Sequence, residues 1–215
     1  MMLNLKLGKN GPLEILCLGC HSDDIEIGCG GSVLRLAEEY PDCRFHWVVF
    51  SALGARRAEA ERGAALFAGP HLLDAPTLKT FPDAFMPFVG AEVKAAFEDL
   101  KSLSPDLIFT HNRNDAHQDH RLIADLTWNT FRNHFILEYE IPKYDGDLGR
   151  PSVFLPLDLE TCQRKVRYVM EAFPSQGQKH WFQPEIFLSL MRLRGMECNA
   201  PSGYAEAFYC RKLVL

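Results

Sequence analysis

The sequence predicts an α/β fold in which a mostly parallel sheet is flanked by helices and the site lies at the carboxyl ends of the strands. Three observations lead there. Short, nearly continuous apolar runs recur along the chain, the pattern of strands covered on both faces. Segments with helical spacing alternate with those runs, which implies parallel strands joined by helical crossovers. Two clusters of histidine and aspartate follow strand-like runs, and in open parallel sheets ligands bind just outside the carboxyl ends of the strands.

Residues 13–19 form the first such strand. Gly30-Gly31-Ser32 opens a helix through residue 39, and Pro41 stops it. Residues 45–50 are a second strand. Residues 56–67, rich in Ala and Glu, read as a helix ended by Gly69-Pro70. Residues 71–88 are irregular. A helix over 90–103 is closed by Ser104-Pro105, and 107–110 is a third core strand. A polar loop, 111–116, leads to a helix from about 119 to 131. Residues 135–141 and 153–157 are further strands. Asp158 caps a helix to about 173. Pro184, a good first-turn residue, starts a helix that ends at Gly195. Residues 207–215 read as a last strand. No repeat, low-complexity segment or linker interrupts the chain, so one domain over residues 1–215 is expected.

Composition narrows the function classes. Hydrophobic residues make up 47% and charged ones 24%, enough apolar matter for a full core. The net charge is −5 and no block of Lys or Arg stands out, so nucleic acid is not expected as a partner. No apolar run approaches the ~20 residues of a transmembrane span, and the start lacks the pattern of a signal peptide. The seven cysteines are an odd number in a chain too large to need staples. They are expected to be reduced and mostly buried, which points to the cytoplasm. Cys17 and Cys20 form C-x-x-C. With no second pair, and with Cys17 inside a strand-like run, packed strand residues are the expectation. Oligomeric state is open, a homo-oligomer included.

Two segments carry the chemistry: His21-Ser22-Asp23-Asp24 after the first strand, and His117-Gln118-Asp119-His120 after a later one. A catalytic zinc takes three ligands from His and carboxylates and leaves a position for water. His21 and Asp24 are close enough in one loop to chelate together, and either His117 or His120 can complete the set. Asp23 would then face the attacking water as its base. Alone, either segment could be helix capping, since carboxylates favour helix N-termini. Two such clusters, each at a strand end, point to a shared metal. Two His and one carboxylate also serve non-haem iron enzymes, so Zn2+ is expected and Fe2+ fits. H-E-x-x-H, EF-hand and deaminase patterns are absent from the sequence. Gly28-Cys29-Gly30-Gly31-Ser32 only partly matches a dinucleotide loop, and Asp23, Asp24 and Glu26 crowd the place of a pyrophosphate. Its glycines are expected to let the helix pack closely on the sheet.

The segments His21-Ser22-Asp23-Asp24-Ile25-Glu26-Ile27-Gly28-Cys29-Gly30-Gly31 and Asp115-Ala116-His117-Gln118-Asp119-His120-Arg121 resemble those of the PIG-L/LmbE family of zinc-dependent N-acetylglucosaminyl deacetylases. Weaker echoes are Arg56-Arg57-Ala58-Glu59, Pro174-Ser175-Gln176, Arg194-Gly195 and Tyr204-Ala205-Glu206-Ala207-Phe208. The resemblance implies a Rossmann-like domain and an N-acetylated amino-sugar substrate. It implies that His21, Asp24 and His120 hold the metal and that Asp23 is the general base. His117 would polarise the oxyanion or protonate the leaving amine, and Asp119 would be partner to a histidine. Ser22 stands where the family usually has proline, which removes a stiffening of the loop but no ligand or base.

Substrate contacts are expected from Arg56 or Arg57, with Arg57 taken as the candidate, and from Glu206, whose apolar frame demands a partner if it is buried. His180 beside Trp181 is expected to be a packed surface pair, and His46, His71 and His134 structural. Competing readings are hydrolysis of another amide or an ester in a sugar conjugate, and a non-catalytic module that binds a sugar nucleotide.

Overall fold

The computed structural model describes residue 7 and residues 11–214. Seven strands form one sheet: β1 (Glu14–His21), β2 (Arg44–Ser51), β3 (Thr77–Leu78), β4 (Leu107–His111), β5 (Phe135–Tyr139), β6 (Val153–Leu157) and β7 (Tyr204–Tyr209), in the order β3-β2-β1-β4-β5-β7-β6. The first five are parallel to their neighbours, and β7 runs antiparallel between β5 and β6. The fold is therefore α/β with a mostly parallel sheet, as the sequence predicts. Six α-helices are found among the described residues: α1 (Asp24–Glu39), α2 (Ala55–Phe67), α3 (Gly90–Leu100), α4 (Gln118–Thr130), α5 (Leu159–Ala172) and α6 (Pro184–Glu197).

Alternation along β1 explains its unbroken apolar run. Ile15 and Cys17 enter the core cluster that α1, α2, α5 and α6 cover. Leu16, Leu18 and Cys20 enter the cluster that α3 and α4 cover on the other face. None of the described helices is long and apolar enough to cross a membrane. All seven cysteines are free thiols, and only Cys210 is not buried.

Three elements differ from expectation. α1 begins at Asp24, not at the glycines, and is broken by a kink at Cys29 (φ −142°, ψ 16°). The glycines lie inside it because neighbours press against the helix: a Cβ on Gly28 would sit 2.2 Å from the Tyr139 ring. β3 lies in the stretch read as irregular, and two residues carry no period to detect. The last strand is Tyr204–Tyr209, so Ala205 and Glu206 are strand residues and the tail beyond is not.

Candidate metal centre

β1 and β4 are parallel neighbours, and each ends on a histidine, His21 and His111. After β1 the chain turns through Ser22-Asp23 into α1; after β4 it passes Asp115 and enters α4, with His117 as N-cap. Residues 99 positions apart thereby meet, with His21 Nδ1 3.1 Å from His120 Nε2. Asp24 Oδ2 lies 3.4 Å from His21 Nδ1 and 3.6 Å from His120 Nε2. A tetrahedral zinc with bonds of about 2.0–2.1 Å keeps its ligand atoms about 3.3 Å apart. The three separations match one face of such a tetrahedron, and two imidazoles with a carboxylate are donors that suit the ion.

The surroundings set the charge of each donor. Burial alone would push the Asp24 carboxyl up, but His120, His111 and His21 together hold it well below the usual carboxylate range. His111 Nε2 is 3.2 Å from Asp24 Oδ2, and the His21 backbone N–H donates to the same oxygen at 2.6 Å. Burial, with His111 alongside, pushes His120 down to about 4, so its ring is neutral near pH 7 and keeps a lone pair. His21 moves the other way. Burial lowers it, but Cys20, Asp119, Asp24 and Asp83 outweigh that and raise it well above the usual histidine range. Its Nε2 lies 3.0 Å from Asp83 Oδ1 and 3.6 Å from Asp119 Oδ2.

Asp23 is buried beside this triad, and burial raises its carboxyl against the pull of Arg56. Arg56 Nη2 donates to Asp23 Oδ1 at 2.6 Å, and Nη1 donates to Glu59 Oε2 at 2.7 Å. Ser175 closes the chain, its N–H and hydroxyl donating to Glu59 at 2.9 and 2.8 Å. Two weak sequence echoes, around Arg56 and around Ser175, thus converge on Asp23. His117 Nδ1 accepts the Asp119 N–H at 3.2 Å, which leaves the proton of a neutral ring on Nε2. Its ring lies 5.0 Å from that of His21 and 4.6 Å from that of His120. Asp119 is fully buried and accepts the N–H groups of Ala84 (2.7 Å) and Met86 (3.2 Å), pinning the loop that brings Asp83 to His21.

The two expected substrate contacts both have partners within the chain. Arg57 is half exposed and pairs with Glu61 on the surface of α2, at 3.2 Å. Successive helix positions point about 100° apart, and it is Arg56 that turns inward. Glu206 is buried and fully engaged. It accepts from Gly31 N (2.8 Å), Ser32 N and Ser32 Oγ (both 2.6 Å), and pairs with Lys165 Nζ at 2.5 Å. The kink at Cys29 creates an N-terminus inside α1, and Glu206 caps it where a carboxylate is favoured. His180 is exposed, while Trp181 packs edge-on to Phe182 with Lys179 over its face.

Sequence reasoning missed His111 and Asp83 and did not assign Asp115 a role. His111 carried a usable signal, being the last residue of a core strand as His21 is. Asp83 lies in the stretch without a period and carried none.

The PIG-L family model, described as GlcNAc-PI de-N-acetylase, matches residues 16–131, a span that contains the triad, Asp23 and His117. The chain belongs to the PIG-L family. Solved structures share its fold at low identity. A conserved protein from Thermus thermophilus has a TM-score of 0.73 at 21% identity, over 94% of this chain and 96% of that one. N,N'-diacetylchitobiose deacetylase from Pyrococcus horikoshii has 0.68 at 17%, over 92% and 83%. GalB, the 4-carboxy-2-hydroxymuconate hydratase from Pseudomonas putida, has 0.69 at 17%, over 94% and 98%.

Proposed function

We propose that this chain is a metal-dependent hydrolase that removes the acetyl group from an N-acetylglucosamine-type sugar or sugar conjugate, with residues 1–215 acting as one deacetylase domain in the cytoplasm. The observation that carries the reading is the approach of His21 Nδ1, Asp24 Oδ2 and His120 Nε2 to within 3.1–3.6 Å of one another, with the buried carboxylate of Asp23 beside them. Membership of the PIG-L family supports the choice of bond and of sugar. His21, Asp24 and His120 would hold the ion, Zn2+ by preference and Fe2+ on the same donors. When bound, the ion would supply Lewis-acid chemistry, polarising the scissile carbonyl and making the attacking water more acidic.

The chain's own groups do the rest. Asp23 takes the proton from the attacking water, and Arg56 fixes the direction of its carboxylate. Neutral His117 offers its Nε2–H to the developing oxyanion; protonated, it can give the leaving nitrogen the proton it needs. Asp119 faces His21 and holds the 84–86 backbone, so it keeps that ring in place. The products are acetate and a free amino sugar.

The deacetylase of P. horikoshii supports this reading, whereas the hydratase of P. putida indicates that the fold alone does not choose the reaction. Metal-stripped protein reloaded with Zn2+ or Fe2+ is to be assayed for acetate release from N-acetylglucosamine and its glycosides, beside elemental analysis of protein purified without added metal. Equal amounts of acetate and free amine, lost on chelation, are expected. A metal-loaded protein that releases no acetate from any of them overturns deacetylation, and a protein that takes up no metal overturns the centre.

A further inference from the structure

The carboxylate of Asp115 lies behind the triad and touches both histidines of the second segment. Its Oδ2 accepts from His120 Nδ1 at 3.0 Å, and its Oδ1 accepts the backbone N–H of His117 at 2.8 Å. The side chain is 3% exposed, so this charge needs compensation. Lys143, on the loop after β5, supplies it: Nζ lies 3.0 Å from the same Oδ2 and 2.5 Å from Asp147 Oδ2. Asp147 in turn accepts the Ala116 N–H at 2.7 Å, which fastens the two loops together.

The consequence is a choice of tautomer. An imidazole that donates through Nδ1 keeps its lone pair on Nε2. Nε2 is the nitrogen that His120 turns towards His21 and Asp24. A free imidazole can carry its proton on either nitrogen; here a full negative charge sits against one of them. The metal-ligand histidines of other proteins commonly donate their second nitrogen to such a partner, and its loss costs ~10–100-fold in affinity.

We propose that Asp115 and Lys143 form a positioning pair that fixes the tautomer and ring direction of His120 for metal binding, with Lys143 holding the Asp115 carboxylate in place from the neighbouring loop. The inference rests on the reading of His21, Asp24 and His120 as the metal centre. Both members act through His120, which Asp115 meets directly.

The test uses Zn2+ alone, competed against a chromophoric chelator, on the full-length protein and its Asp115→Asn, Lys143→Met and Lys143→Arg variants. The visible absorption of the Co2+-loaded forms reports ligand geometry, and melting of the metal-stripped forms reports folding. Asp115→Asn should weaken Zn2+ binding ~10–100-fold and alter the Co2+ spectrum. Lys143→Met should shift both in the same direction by a smaller factor, and Lys143→Arg should restore them. If Asp115→Asn does not fold, the two Lys143 variants decide. Wild-type protein that binds no Zn2+ overturns the metal reading itself. Tight wild-type binding with unchanged affinity and spectrum in the variants overturns the positioning pair and leaves the metal reading intact.

Discussion

Replacing Glu206 with alanine should destabilise the fold strongly without touching the chemistry. Glu206 accepts three hydrogen bonds at the kink of α1 and pairs with Lys165, whose side chain is 3% exposed. Glu206→Ala leaves that ammonium buried with only the Ile27 carbonyl, at 2.6 Å, to receive it. Breaking a buried pair by deleting one partner costs about 3–5 kcal/mol. Lys165→Met is the milder change, because Glu206 retains two backbone donors and the Ser32 hydroxyl. The double variant removes both charges, so it should cost less than the sum of the singles, with a coupling of about 1–3 kcal/mol. Urea denaturation with an unchanged m-value measures the stability, and acetate release at saturating metal measures activity per folded molecule. A loss below about 1 kcal/mol, well short of the buried-pair range, together with a raised KM, would refute the scaffold role and return Glu206 to the substrate site.

Asp23→Asn should keep metal affinity and the contact with Arg56 while lowering kcat by about 10²–10⁴-fold, the usual worth of a positioned base; a rate equal to wild type, measured with the ion at saturation, sinks the assignment. Zn2+ uptake should become tighter as pH rises and release about one proton per site from His21, since metal ligands must be deprotonated. The sign follows from the direction of the shift: a histidine raised well above its usual range is protonated at neutral pH and must give up its proton to bind. Calorimetric titrations in buffers of different ionisation enthalpy count that proton, and an affinity independent of pH across about 6–8 would contradict a raised His21.

What the sequence made legible is what local pattern and chain order determine. Unbroken apolar runs identified β1, β2 and β4 because both faces of the sheet are covered, and a residue at a strand end needs no further information to be placed at the sheet edge. That is why His21 and the His117–His120 segment could be brought together from sequence, while the choice of His120 over His117 rested on the family resemblance. The 71–88 region resisted because its strand is two residues long and the 3-10 turns at its two ends are single windings, too short for any period.

The partners of Arg57 and Glu206 were illegible for a different reason. Glu206 reads in sequence as a carboxylate that needs a partner if buried, and Arg56 or Arg57 as a contact for substrate, but which group each meets depends on direction, and direction is a tertiary property. Arg56 and Arg57 have equal claims in sequence; the rotation of α2 against Phe173 and Asp23 separates them, with the Arg56 guanidinium 5.6 Å from the Phe173 ring. Glu206 lies beside the Gly31-Ser32 turn of α1 only because β7 inserts antiparallel between β5 and β6, an arrangement that no local signal announces. The same logic separates the two roles of acid in this chain. Asp24 and Asp23 sit where a strand ends and a helix begins, at the edge of the sheet where the proposed metal centre lies. Glu206 meets an equivalent helix N-terminus inside the fold, and there the same electrostatic preference holds α1 in place.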